Sequence, residues 1–240
     1  MNIVRMDKGN KSGTCLLYEF NGEIGIKHCK FDTEANKRRF FHEIKMLRLL
    51  EENFINKPKI KHYPFPRLIT TDSCTIHKKC KLIKLTHCGI TAVENIKFNI
   101  VPVDLYNTVE CIINNLKNNY IKHIDMKGDN ICINNDGYIF LIDFERCIHI
   151  PEGDETINRY YRKPNIKQLK NKLYNHVGCA ESDNLIEKAF RTPGDSFLKK
   201  SKSGEYFIKK RPNKLFDNIF KRSPWAILFL FNTSQNTNNG

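Results

Sequence analysis

The sequence predicts an α+β fold in two parts, a strand-rich stretch over residues 1–88 and a more helical one over 89–240. Three observations predict it. An Asn-Gly pair separates two short apolar runs near the start, apolar residues recur at three- and four-residue spacing over 40–50 and 105–116, and His87-Cys88-Gly89 breaks the pattern between them.

The elements follow in order. Cys15 to Phe20 and the run holding Ile24 and Ile26 flank Asn21-Gly22. A type I′ turn needs φ > 0 at both central residues, which Asn and Gly tolerate, so a β-hairpin is expected. Strand alternation puts Lys27 on the face of Gly25 and turns Ile24, Ile26 and Lys30 to the other face, expected to be the core face. Asp32-Thr33-Glu34 then opens a helix whose apolar positions are Phe40, Ile44, Leu47 and Leu50. Residues 52–70 hold three prolines and read as loop, and Cys80 to Leu85 reads as another strand. From Val103 to Tyr120 the pattern Leu105, Val109, Ile112, Ile113 and Leu116 is helical. Beyond Pro151 the signals weaken: Ile166 to Tyr174 and Asn184 to Phe190 are candidate helices, and SQNTNNG reads as a frayed tail.

Composition narrows the class. A chain of 240 residues can bury its own core, and a hydrophobic fraction of 40% with 28% charged argues against disorder over most of it. The longest apolar run, Trp225 to Phe231, is seven residues, far short of the roughly 20 that span a bilayer. MNIVRMDKGNK lacks the apolar core of a secretory signal, so a cytoplasmic protein without a membrane span is expected. Nine scattered cysteines with no C-x-x-C pair read as reduced thiols rather than a disulfide framework or zinc site. Forty basic against 26 acidic residues give a net charge of +14, a field that draws in polyanions.

The segment richest in chemistry is Tyr120 to Cys147, YIKHIDMKGDNICINNDGYIFLIDFERC. Apolar runs at Ile131–Ile133 and Tyr138–Ile142 flank Asp136-Gly137, so a hairpin with a two-residue loop is expected. That register sets Asn130 opposite Asp143, where an amide oxygen and a carboxylate suit a hard cation such as Mg²⁺.

His123-Ile124-Asp125-Met126-Lys127-Gly128-Asp129-Asn130 resembles the catalytic loop H-R-D-x-K-x-x-N of eukaryotic-type Ser/Thr protein kinases, and Asp143-Phe144-Glu145 resembles their D-F-G. Upstream, Ile24-Gly25-Ile26-Lys27 followed by Glu43 resembles the V-A-I-K lysine and its helix glutamate, with Lys30 a rival to Lys27. The resemblance covers residues 8–147 in outline and is most specific over 123–145. It implies a bilobal protein-kinase-like fold, a small β-rich lobe over 1–88 and a larger helical lobe over 89–240, with ATP between them. It further implies Asp125 as base for the substrate hydroxyl, Lys127 as a cation near the transferring phosphate, and Asn130 and Asp143 as Mg²⁺ ligands. Lys27 and Glu43 would serve the ATP phosphates, Gly13 the glycine loop, and Leu85 with Cys88 the gatekeeper and hinge.

Several positions depart from that pattern. Ile124 stands where many kinases keep an arginine that reads a phosphorylated activation loop, so no such phosphorylation is expected to be required. Glu145 replaces a glycine, Lys8 and Asn10 stand where G-x-G-x-x-G ending at Gly13 wants glycine, and no A-P-E follows Asp143. A carboxylate after D-F also occurs in small-molecule kinases resembling aminoglycoside and choline kinases, although Lys127 favours protein kinases. A pseudokinase scaffold is the third alternative. Residues 198–222 hold nine basic and two acidic residues, a net +7 that suits acidic protein substrates, with nucleic acid a less favoured partner.

Overall fold

Two alternating runs, Cys15–Phe20 and Ile24–Lys30, form the centre of a five-stranded antiparallel sheet. The computed structural model describes residues 4–6, 15–20, 24–55, 60–73, 79–92, 95, 100–126, 128–162, 198–200 and 206–208. The Asn21-Gly22 turn, Gly13, Lys127 and the candidate helices at 166–174 and 184–190 lie outside the described residues.

The sheet comprises β1 (Val4–Met6), β2 (Cys15–Phe20), β3 (Ile24–Lys30), β4 (Leu68–Ser73) and β5 (Cys80–Thr86), in the order β1-β2-β3-β5-β4. β3 and β5 pair along their whole length, from Ile24 opposite Thr86 to Lys30 opposite Cys80. Between β3 and β4 runs α1 (Glu34–Glu52), begun by Thr33, whose Oγ1 accepts from the Asn36 amide at 3.1 Å. The four apolar positions expected to be buried, Phe40, Ile44, Leu47 and Leu50, are buried together with Met46 and Glu43. Each fully buried Leu, Ile or Phe contributes roughly 1.5–3 kcal/mol of transfer free energy.

Residues 52–70 are not all loop, because β4 begins at Leu68. Five of its six residues are exposed, so this edge strand carries no apolar alternation to announce it. Nor do Ile24 and Ile26 take the buried face of β3: they are half-buried, whereas Gly25, Lys27 and Cys29 are buried. That inner face belongs to α1, whose Glu43 supplies the charge that lets a lysine stay inside.

After β5 the chain turns at Gly89, φ +89, and β6 (Ile90–Thr91) pairs with β8 (Ile131–Ile133). A Cβ at residue 89 would lie 1.9 Å from the Ile133 carbonyl oxygen, so only glycine lets the two backbones approach this closely. α2 (Leu105–Asn118) buries Val109, Ile112, Ile113 and Leu116 as its periodicity predicts. β7 (Ile121–Lys122) pairs with β10 (Ile148–His149), β8 pairs with β9 (Ile139–Leu141), and α3 (Thr156–Tyr160) packs on β7. Farther on, β11 (Leu198–Lys200) and β12 (Tyr206–Ile208) form an antiparallel pair within the basic segment. The described chain is therefore a mixed α/β structure of small antiparallel sheets and few helices. One apolar cluster runs from Phe40 and Leu47 of α1 through Ile83 and Leu85 to Ile112, Ile131 and Leu141. Among the described residues no helix is long and apolar enough to cross a membrane.

The β8–β9 hairpin differs from expectation by one residue. Ile131 pairs with Leu141 and Ile133 with Ile139, so the loop has three residues and Asn130 falls opposite Ile142, not Asp143. The Asn134 side chain explains the shift: its Oδ1 accepts from the amides of Asp136 at 3.1 Å and Tyr138 at 2.8 Å. Gly137 N donates to Asn134 O at 3.0 Å, and Gly137 takes φ +82 as the bulge residue of a three-residue loop.

Candidate functional site

Lys27, 1% exposed, is the centre of an ionic cluster drawn from three elements of the chain. Its Nζ donates to Glu43 Oε1 at 3.0 Å and Oε2 at 2.8 Å, and to Asp143 Oδ1 at 2.9 Å. Glu145 Oε2 lies 3.3 Å away. β3 supplies the lysine on the same face as Gly25, which stands opposite Leu85. Of the two lysines weighed from the sequence, Lys27 is the one that meets Glu43; half-buried Lys30 pairs with Cys80 at the far end of the strand.

α1 delivers Glu43 from its buried face and is tied to the segment after Asp143 by His42, whose Nε2 donates to the Cys147 carbonyl at 2.7 Å. Asp143 takes φ +68, a left-handed conformation uncommon for a residue with a side chain. This breaks the strand pattern just past β9. Phe144 then inserts into the core between Phe65, at 5.9 Å between ring centroids, and His123, at 5.1 Å.

The charges do not balance. Three carboxylates, whose nearest oxygens lie within 4.8 Å of one another, surround the Lys27 ammonium, and Arg146 at the edge of the cluster reaches Glu145 Oε1 at 3.7 Å through Nε, which leaves a formal surplus of one negative charge. Burial above all, and then the neighbouring Asp143 and Glu145, push the Glu43 carboxyl up to about 7 against the opposing pull of Lys27. Glu145 Oε2 is buried and makes no hydrogen bond within the described structure. An oxygen-rich, net-negative cluster in which Glu145 Oε2 has only its ion-pair contact with Lys27 fits a divalent hard cation. Glu145 is the site residue that sequence reasoning missed. In the sequence its carboxylate marks a likeness to small-molecule kinases and its bulk a loss of backbone freedom, but neither places it beside Lys27.

A second group stands on the loop before β8. Asn130, buried at the end of a short 3₁₀ turn, donates through Nδ2 to the Asp125 carbonyl at 2.7 Å and to Asp125 Oδ2 at 3.3 Å. Asp125 is half-buried. His123 Nε2 donates to the Ile142 carbonyl at 3.0 Å, joining this loop to the residue before Asp143. Burial lowers the His123 pKa, so the ring is neutral and serves as a strut. The structure thus joins Asp125 with Asn130, and Lys27 with Glu43, Asp143 and Glu145, and His123 links the two groups. Leu85 and Cys88 are buried at the end of β5 and just beyond it, with Cys88 Sγ 3.5 Å from the Thr86 carbonyl. Burial pushes the Cys88 thiol up to about 12.

No model of a known protein family matches the chain, and no curated protein matches it either.

Proposed function

We propose that this chain is an ATP-dependent phosphotransferase with a bilobal, protein-kinase-like fold, acting on Ser or Thr hydroxyls of protein substrates. The observation that carries this reading is the buried Lys27–Glu43 ion pair closed by Asp143, three residues separated by 16 and 116 positions in sequence. The sequence resemblance demands that convergence, and a chance match of short motifs would not produce it.

In this reading Lys27, oriented by Glu43, engages the α- and β-phosphates of ATP. Asp125, held by Asn130, accepts the proton of the attacking hydroxyl. The hydroxyl oxygen bonds to the γ-phosphorus, the bond from that phosphorus to the β–γ bridging oxygen breaks, and ADP departs. Lys127 neutralises charge on the transferring group. Asp143 and Asn130 would hold Mg²⁺, with Glu145 adjoining, and the ion would neutralise triphosphate charge when bound. Rate enhancement comes mainly from positioning and charge neutralisation.

A second reading keeps the chemistry and changes the acceptor. Glu145 is a buried carboxylate at the cluster where a protein kinase has glycine, which favours a small-molecule alcohol acceptor of the aminoglycoside or choline kind. Incubation with radiolabelled ATP, Mg²⁺, a protein panel and a panel of amino alcohols separates the two. Label on Ser or Thr is the expected result; label on amino alcohols alone favours the second reading. Label on no acceptor refutes phosphotransfer.

A further inference from the structure

The backbone leading into Asp125 is gripped by two adjacent phenols. Tyr161 Oη donates to the Ile121 carbonyl and accepts from the His123 amide, both at 2.9 Å, while Tyr160 Oη donates to the His123 carbonyl at 2.9 Å. Ile121 and His123 are 0% and 1% exposed, so their amides and carbonyls depend on partners within the protein. The same stretch pairs with β10, and Ile150 N donates to the Tyr120 carbonyl at 2.9 Å.

α3 and the residue after it present the two rings. Ile157, 3% exposed, anchors the helix in the core, and the rings meet edge to face at 4.8 Å. Lys122 Nζ lies 6.0 Å from the Tyr160 ring centroid and donates to Thr156 Oγ1 at 2.8 Å, fixing α3 against β7. Burial pushes the Tyr160 hydroxyl up to about 12 and that of Tyr161 well above its ordinary value, so both remain protonated donors. Past this grip, Asn130 Nδ2 holds the Asp125 carbonyl. The chain is thereby secured on both sides of Ile124.

We infer that Tyr160 and Tyr161 are positioning residues, clamping residues 121–123 so that Asp125 keeps its place beside Asn130. The inference rests on the reading of Asp125 as the base.

Tyr160→Phe, Tyr161→Phe and the double variant delete the hydroxyls and keep the rings; Ile157→Val loosens α3 and keeps both hydroxyls. Two readouts are taken on the full chain, amide hydrogen exchange across residues 120–125 and transfer kinetics with ATP and Mg²⁺. In Tyr161→Phe the His123 amide loses its acceptor and exchanges faster, while the Leu141 amide, bonded to Pro64, is unchanged. In the double variant kcat falls about tenfold at constant KM for ATP, because a misplaced base costs rate and not nucleotide binding. Ile157→Val, which loosens the helix presenting the rings but keeps both hydroxyls, lowers kcat by less than the double variant does. Should the double variant fail to fold, Tyr160→Phe carries the kinetic comparison. Unaltered His123 exchange in Tyr161→Phe overturns the clamp, and faster exchange with unaltered kcat overturns the positioning role. Wild-type chain that labels no acceptor refutes the phosphotransfer reading and the positioning role with it, while exchange alone still decides the clamp.

Discussion

Replacing Lys27 by Met keeps the aliphatic stem and removes the ammonium that three carboxylates share. The Glu43 and Glu145 side chains are 3% and 4% exposed and Asp143 is 22% exposed, so two of the three charges left behind are shut away from water. Breaking a buried ion pair from one side costs about 3–5 kcal/mol, because the remaining charge is uncompensated. Partial exposure of Asp143 and proton uptake by Glu43, whose carboxyl already sits at about 7, hold the cost to the lower end, about 3 kcal/mol. At about 2–4 °C per kcal/mol for a chain of this size, the melting temperature should drop by roughly 6–12 °C. Glu43→Gln has the opposite logic. It leaves Lys27 between Asp143 and Glu145, an amide oxygen can still accept from Nζ, and the charge surplus shrinks, so the cost should be about 1 kcal/mol or less. Urea and thermal unfolding of both variants at pH 7.5 with chelator provide the comparison. A Lys27→Met protein as stable as wild type, or a Glu43→Gln protein less stable than Lys27→Met, refutes the picture of an over-acidic buried cluster held chiefly by Lys27.

Two further outcomes are expected. Gly89→Ala should destabilise by about 2–5 kcal/mol, combining the left-handed penalty at φ +89 with a Cβ 1.9 Å from the Ile133 carbonyl oxygen, and a melting temperature within a degree of wild type would contradict that geometry. Cys88, buried and raised to about 12, should resist alkylation in the native chain across pH 7–9 and react once unfolded; peptide mass spectrometry reads both states, and native labelling that grows with pH would overturn the assignment.

What the sequence revealed follows the strength of each local signal. The period of Phe40, Ile44, Leu47 and Leu50 foretold a helix and its buried face, because an amphipathic stripe records the core directly. The antiparallel pairing of β2 with β3 was legible for a different reason, the Asn-Gly pair between two short apolar runs. β4 was not, since Thr70, Thr71, Asp72 and Ser73 are exposed on an edge strand with no apolar face to alternate. The one-residue error at the β8–β9 loop arose because Asp136-Gly137 resembles a two-residue turn, whereas capping by the Asn134 side chain extends the loop to three. Ile24 and Ile26 were assigned the inner face of β3 because pattern reading turns apolar side chains toward the core. Lys27 sits inside because carboxylates 16, 116 and 118 residues away compensate its charge, and no local window contains that information. Glu145 escaped for a related reason, because its partner Lys27 is remote in sequence.

The roles assigned to the two aspartates separate in one measurement, nucleotide affinity beside phosphoryl transfer for Asp125→Asn and Asp143→Asn. The account predicts that Asp125→Asn binds Mg²⁺–ATP as wild type does and loses transfer, since it removes the base alone. Asp143→Asn should lose both, having removed a carboxylate from the cation cluster. An Asp125→Asn chain that transfers phosphate at the wild-type rate would contradict the account.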